Sequence, residues 1–298
     1  MTNPIPALAR APTSMTVKRL IYPLLSHPRV ARTLKYIVYG SLLINTGRYF
    51  LDDYLAMQAA LPPDASLADY FTQFSTTIDM FAWVGLVFLF ELETHAVPEE
   101  KWTTRLSAGI RTLRAICYLG IAYAAYGYTV EALENFDTTQ VSGITNVCQL
   151  ADKDASLQIN VFAYTEITSD NCASLSSDNK FYHIANEVSF IDESTLKHVQ
   201  WVQLVDIDNA YIWLIVVFLI EFEVWMQARN RFSGSALHAT RIAKTGGYIV
   251  LIANMFIWGF AGYYLYAWDA FLWIFGFWAI ELNLAKLEMA REDELAPG

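Results

Sequence analysis

Charged side chains are scarce in this chain. They make up 17% of it, against about 25% in an ordinary globular domain, so little is available to hold a conventional surface in water. Bases are the rarer sign: 20 Lys and Arg stand against 30 Asp and Glu, a net charge of -10. No basic patch is interleaved with aromatics, which excludes a nucleic-acid partner. Histidine is limited to five residues and cysteine to three. None of His27, His95, His183, His198 and His238 lies deep in an apolar run, which excludes a haem held between two histidines inside one. The chain also lacks H-E-x-x-H, C-x-x-C, G-x-S-x-G and G-x-x-x-x-G-K-[ST]. No catalytic site, metal or cofactor is therefore expected, and the chain reads as a non-enzyme.

Apolar length is what it has. The chain is 55% hydrophobic with a mean hydropathy of +0.28. Runs near 36–56, 74–93, 108–130, 209–228, 244–266 and 268–287 each approach the ~20 residues that a bilayer core requires. The expected fold is an all-α integral membrane protein with six transmembrane helices and the lipid bilayer as its medium. Nothing before residue 36 reads as the apolar core of a signal peptide, so no processing is expected. Bases set the orientation. Arg10, Lys18, Arg19, Arg29, Arg32 and Lys35 precede the first run, and further bases fill the second–third and fourth–fifth connections. The long loop holds eleven acids from Glu134 to Asp206 and only Lys153, Lys180 and Lys197. Both termini are expected to be cytoplasmic, with the acidic loop outside. The domain organisation is then a basic segment 1–35, helices 1–3 over 36–133, a loop domain over 134–206, helices 4–6 over 207–287, and a tail 288–298.

The loop reads as a small α/β or β insertion. "SLQINVFAYTEI" alternates apolar and polar residues like a strand, and "FYHIANEVSFI" is a candidate partner. Cys148 and Cys172 bracket the first of these, and an oxidising exterior would favour a disulfide between them.

An internal repeat organises the rest. Arg32, Lys35 and Tyr39 share their spacing with Arg111, Arg114 and Tyr118, and with Arg241, Lys244 and Tyr248. Asn45, Ala124 and Asn254 follow at one interval. In the even runs, Asp79, Asn209 and Asp269 each precede a tryptophan by four: Trp83, Trp213 and Trp273. Eight beyond come Glu91, Glu221 and Glu281, and two further come Glu93, Glu223 and Asn283. Three repeated helical hairpins are expected.

The glutamates carry the functional question. Glu281 lies twelve residues past Asp269, about 18 Å at ~1.5 Å per residue. That leaves it short of the far side of a ~30 Å core, where an ionised carboxylate is costly unless paired or hydrated. Two uses follow. One is a cation or proton channel, or an ion-coupled transporter, lined by Glu91, Glu221 and Glu281 with Asn45 and Asn254. The other is a non-transporting membrane scaffold or accessory subunit, in which Lys35, Arg114 and Lys244 pair with the acids. Permeation ranks first, because acid in an apolar run defaults to function. Arg48 and Asp52 form a local pair by spacing, with gating or anion binding as the functional alternative. Trp83, Trp213 and Trp273 read as an aromatic belt. A membrane-protein partner or a second copy of the chain is compatible with either use.

Overall fold

The structure is a computed structural model, and it describes residues 28–93, 103–151, 153, 155–228 and 234–277. The chain divides into two units, Met1–Leu43 and Ile44–Gly298. Within the first, the Lys35 ammonium lies 5.7 Å from the centre of the Tyr39 ring, a cation–π contact one helical turn along.

Helices dominate. In chain order they are α1 (Pro28–Ala60), α2 (Leu67–Gln73), α3 (Ser75–Glu91), α4 (Thr104–Phe136), α5 (Cys172–Leu175), α6 (Glu193–Ala228), α7 (Gly234–Phe260) and α8 (264–277). Local chemistry sets several ends. Ser66 Oγ accepts from Asp69 N at 3.3 Å while Asp69 Oδ2 accepts from Ser66 N at 2.7 Å, a capping box that starts α2. Phe74 then breaks the helix, and α3 leaves at 63° to α2. Asp53, on α1, fixes the new start: its Oδ2 accepts from Thr77 N at 2.9 Å and Thr77 Oγ1 at 2.7 Å. The Thr77 amide is a first-turn donor that α3 cannot satisfy itself. Gly127 of α4 packs against this bend. A Cβ there would stand 1.8 Å from Ser75 Oγ.

The loop between α4 and α6 is larger in structure than a small insertion. It forms a five-stranded open sheet of β1 (Thr138–Gln140), β2 (Ser156–Gln158), β3 (Tyr164–Glu166), β4 (Phe181–Ile184) and β5 (Ser189–Asp192), in the order β1-β4-β5-β2-β3. All neighbours are antiparallel except β2 and β5. The expected strand at 156–167 is in fact a hairpin, because Asn160 Oδ1 accepts from the amides of Phe162 and Ala163 and turns the chain. The expected partner is also a hairpin. It turns at Asn186, whose φ of 65° lies in the left-handed region that asparagine tolerates.

Alternation along the strands gives the sheet two apolar faces. On one, Leu157, Ile167 and Phe181 pack with Val147, Leu150 and Cys172. The Cys148–Cys172 disulfide closes this cluster, with a Cα–Cα distance of 4.9 Å. On the other, Ile184 and Ile191 pack with Leu196, Val199 and Val202 of α6 and with Trp258 and Tyr263 at the α7–α8 corner. Sheet and helices therefore share a core.

The expected six-span, all-α architecture is overturned. Among the described residues two helical lengths, Glu193–Glu223 and His238–Phe260, are long and apolar enough to cross a membrane; a third would be α2 with α3, if that bent pair were one span. The physical reason is charge within the helices. α1 carries Arg48, Asp52 and Asp53. In α4 the stretch between Arg114 and Glu131 is diluted by Gly, Ala and Tyr. The run at 268–287 lies partly outside the described residues. A topology of six crossings with both termini cytoplasmic and an external loop loses its basis, and so does the bilayer as the chain's general medium. The segments 1–27 and 281–298, which carried part of that reading, also lie outside the described residues.

Candidate functional site

Two features concentrate polar chemistry away from the sheet. The first is a pair of inter-helix ion pairs. Glu93, just past α3, meets Arg114 of α4. Glu223 of α6 meets Lys244 of α7 at 2.6 Å, with the two side chains only 14% and 16% exposed. Each pair joins one helix to the next across 21 residues. The bases are two of those expected, but their partners lie two residues beyond the expected glutamates. Glu221 is exposed and accepts a hydrogen bond from Tyr118. Glu91 closes α3, and Glu281 lies outside the described residues.

The second feature is a cavity of ≈ 90 Å³ among α1, α3, α4, α6, α7 and α8. Trp83, Trp213 and Trp273, which the repeat aligned, converge on it. The Trp83 ring centre is 5.6 Å from each of the other two, and Phe277 fills the gap beside them. All three tryptophans are buried, so they form an internal cluster and not a belt. Asp79, Asn209 and Asp269, the polar residues four before each tryptophan, line the same cavity, together with Asp206, Trp258, Tyr49, Tyr128 and Tyr266.

Most donors at the cavity are already engaged. Asp269 accepts from Asn45 Nδ2 at 2.7 Å and from Trp273 Nε1 at 3.1 Å. Asp206 accepts from Trp258 Nε1 at 2.8 Å. Asp79 accepts from Trp83 and Tyr128. Asn254 donates to Asp208 Oδ2 at 2.8 Å. Asn45 and Asn254 thus hold carboxylates across helices. Arg48 binds Asp52 at 2.8 Å and is 53% exposed.

A further polar group lies under the sheet. Glu131 of α4 accepts from Gln203 of α6 at 3.3 Å. Glu187 accepts from Ser189 and is hydrogen-bonded by Tyr164. Burial, with Asp206 and Glu187 nearby, pushes the Glu131 carboxyl up to about 8. Burial and the Glu134 charge push Glu187 up to about 7. Gln158, fully buried on β2, has no hydrogen-bond partner for either amide atom.

No family model, curated protein or solved structure matches the chain.

The permeation reading is overturned. Two described helices have the length and composition to cross a membrane, three at most with the bent pair. No group of three or more His, Cys, Asp or Glu among the described residues could hold a metal ion. Of the expected ring, Glu221 is exposed and bonded to Tyr118, and the ion pairing falls instead to the neighbouring Glu93 and Glu223, as a structural role would have it. The repeat spacing held the signal for those pairs, since both glutamates align two residues past Glu91 and Glu221. It also held Asp79 and Asp269, through their shared place four residues before a tryptophan. Glu131 and Glu187 had no such signal, because it is sheet packing that brings them together.

Proposed function

We infer that the chain is a non-transporting scaffold or accessory subunit, in which intra-helical acids hold consecutive helices together and the sheet is carried on that frame. The observation that supports this most directly is the recurrence of one arrangement: a glutamate in the last part of an even apolar run paired with a base in the first part of the next odd one, in Glu93–Arg114 and again in Glu223–Lys244. Asn254 likewise ties α7 to the preceding α6 through Asp208, and Asn45 ties α1 to α8 through Asp269. The enclosed Glu223–Lys244 pair is destabilising when one partner is removed and so fixes the register of its two helices, whereas Arg114 and Glu93, 31% and 28% exposed, tie theirs more weakly.

The test is a double-mutant cycle on Glu223→Gln and Lys244→Met, read by thermal unfolding, with ion flux in reconstituted vesicles as the second readout. The scaffold reading expects each single variant to be less stable than the parent and the double variant to recover part of the loss. Flux in the parent that Glu221→Gln abolishes at unchanged stability would overturn it.

A further inference from the structure

We propose that the helices close into a ring of three equivalent pairs, each clasped to the pair before it through the same positions of the repeat. The pairs are α1 with α3, α4 with α6, and α7 with α8, taken from Ile44 onward. Tyr49, Tyr128 and Trp258 each lie four residues past the aligned Asn45, Ala124 and Asn254. Thr76, Asp206 and Tyr266 each lie three before the aligned Asp79, Asn209 and Asp269. The two sets meet at all three junctions. Tyr128 of α4 is hydrogen-bonded with Thr76 of α3. Trp258 Nε1 of α7 donates to Asp206 of α6 at 2.8 Å. The Tyr49 ring of α1 packs on Tyr266 of α8 with centres 5.6 Å apart.

In every case the first helix of one pair docks on the second helix of the pair before it, and the pair before the first is the last. A contact repeated in one direction builds an open array unless the rotation between copies brings the last back to the first. Here it does: Asn45 Nδ2 reaches Asp269 Oδ1 at 2.7 Å across 224 residues. The tryptophans mark the axis. Trp83, Trp213 and Trp273 come one from each pair and converge on one cavity, which takes Asp79, Asn209 and Asp269 in the same way. The sheet, inserted in the second pair, touches all three. Ser156 Oγ donates to Ala59 O of α1 at 2.7 Å, Asn186 Nδ2 to Glu134 Oε1 of α4 at 2.9 Å, and Val161 N to the Tyr263 hydroxyl at the α7–α8 corner at 3.5 Å.

Equivalence reaches beyond the contacts already made. Asn45 and Asn254 each hold an acid of the preceding pair, Asp269 and Asp208. The third place in that set is Ala124, buried in α4, and at its junction Tyr128 binds Asp79 instead. Three equivalent junctions assign position 124 as an amide site: an asparagine there stands to Asp79 as Asn45 stands to Asp269. An amide introduced at a fully buried alanine ordinarily destabilises, through overpacking and an unpaired dipole. The ring expects this one position to differ. It specifies how the proposed scaffold is closed, and rests on that reading for its role but not for its geometry.

Thermal unfolding of the purified full chain tests it, with Ala124→Asn against Ala125→Asn, a neighbouring buried alanine outside the aligned set. The expected midpoint for Ala124→Asn lies within ~2 °C of the parent, and that for Ala125→Asn falls by roughly 5 °C or more. In an Asp79→Ala background, Ala124→Asn is expected to become as costly as Ala125→Asn. Equal losses for the two asparagines in the parent would overturn the equivalence, and so would a cost at position 124 that is indifferent to Asp79. Should Asp79→Ala or either asparagine variant fail to fold, the parent decides: NMR of the tyrosine-labelled chain is expected to show ring-proton contacts between Tyr49 and Tyr266, and their absence overturns the ring. None of these readouts involves Glu223 or Lys244, so a failed double-mutant cycle on that pair leaves the ring standing, and the reverse also holds.

Discussion

Individual side chains here differ widely in what they contribute, and exposure decides which matter. Arg48 and Asp52 are an i,i+4 pair with the base 53% exposed and the acid 8% exposed, so Arg48→Ala leaves a buried carboxyl without its partner and is expected to cost about 1 kcal/mol. Glu223 and Lys244 are both mostly enclosed, and Glu223→Gln leaves a charged partner behind. We expect a loss of about 1.5–3 kcal/mol, measured by chemical denaturation. Gly127 is a third kind of residue, required by space: the Cβ of an alanine would overlap Ser75 Oγ. Gly127→Ala should destabilise by about 1–3 kcal/mol through overpacking, and Gly127→Ala with Ser75→Gly should recover most of it. None of these contrasts was visible in the sequence. Nothing in the spacing of Arg48 and Lys244 shows that the first keeps its head in solvent over a buried acid while the second is enclosed with its partner.

At the scale of elements, the sequence was legible where a run was long and uniform. The expected run at 108–130 falls inside α4, and that at 209–228 falls inside α6. It was less legible where short-range chemistry intervened. The run at 74–93 showed nothing of the bend at Phe74, which depends on Asp53 reaching over from α1. The start of α6 was hidden because "ESTLKHVQWVQLVDID" mixes polar residues into a helix that packs on a sheet. Strands of three or four residues are too short for alternation to show, and two turns centred on asparagine made each pair look like one element. The sheet supports its own prediction. The Cys148–Cys172 crosslink closes a loop with a sequence separation of 24, and reduction should cost about 2–4 kcal/mol. The loss should be concentrated in the cluster of Leu157, Ile167 and Phe181, and hydrogen exchange of β2 and β3 amides before and after reduction would locate it.

For the whole molecule, pH is the informative variable. Glu131 and Glu187 are partly enclosed near one another, and desolvation holds both carboxyls well above their ordinary value of 4.5. Between about pH 4.5 and pH 7 the folded chain therefore binds more protons than the unfolded one, and stability falls as pH rises through that window. The unfolding temperature is expected to be higher at pH 5 than at pH 8. Glu131→Gln and Glu187→Gln should each flatten that dependence, and the opposite slope would show that these carboxyls are solvated in the folded protein.

One feature has mechanical meaning. α6 is a single unbroken helix from Glu193 to Ala228, 36 residues long, or about 54 Å at ~1.5 Å per residue. One end is buried in the sheet core through Leu196, Val199 and Val202, and Glu223 near the other grips Lys244. α7 enters the same core through Trp258, so the two rods are clamped at both ends, by apolar packing at the sheet and by one ion pair far from it. The two clamps answer to different solvents: salt and pH act on the ion pair, and denaturant acts on the apolar end.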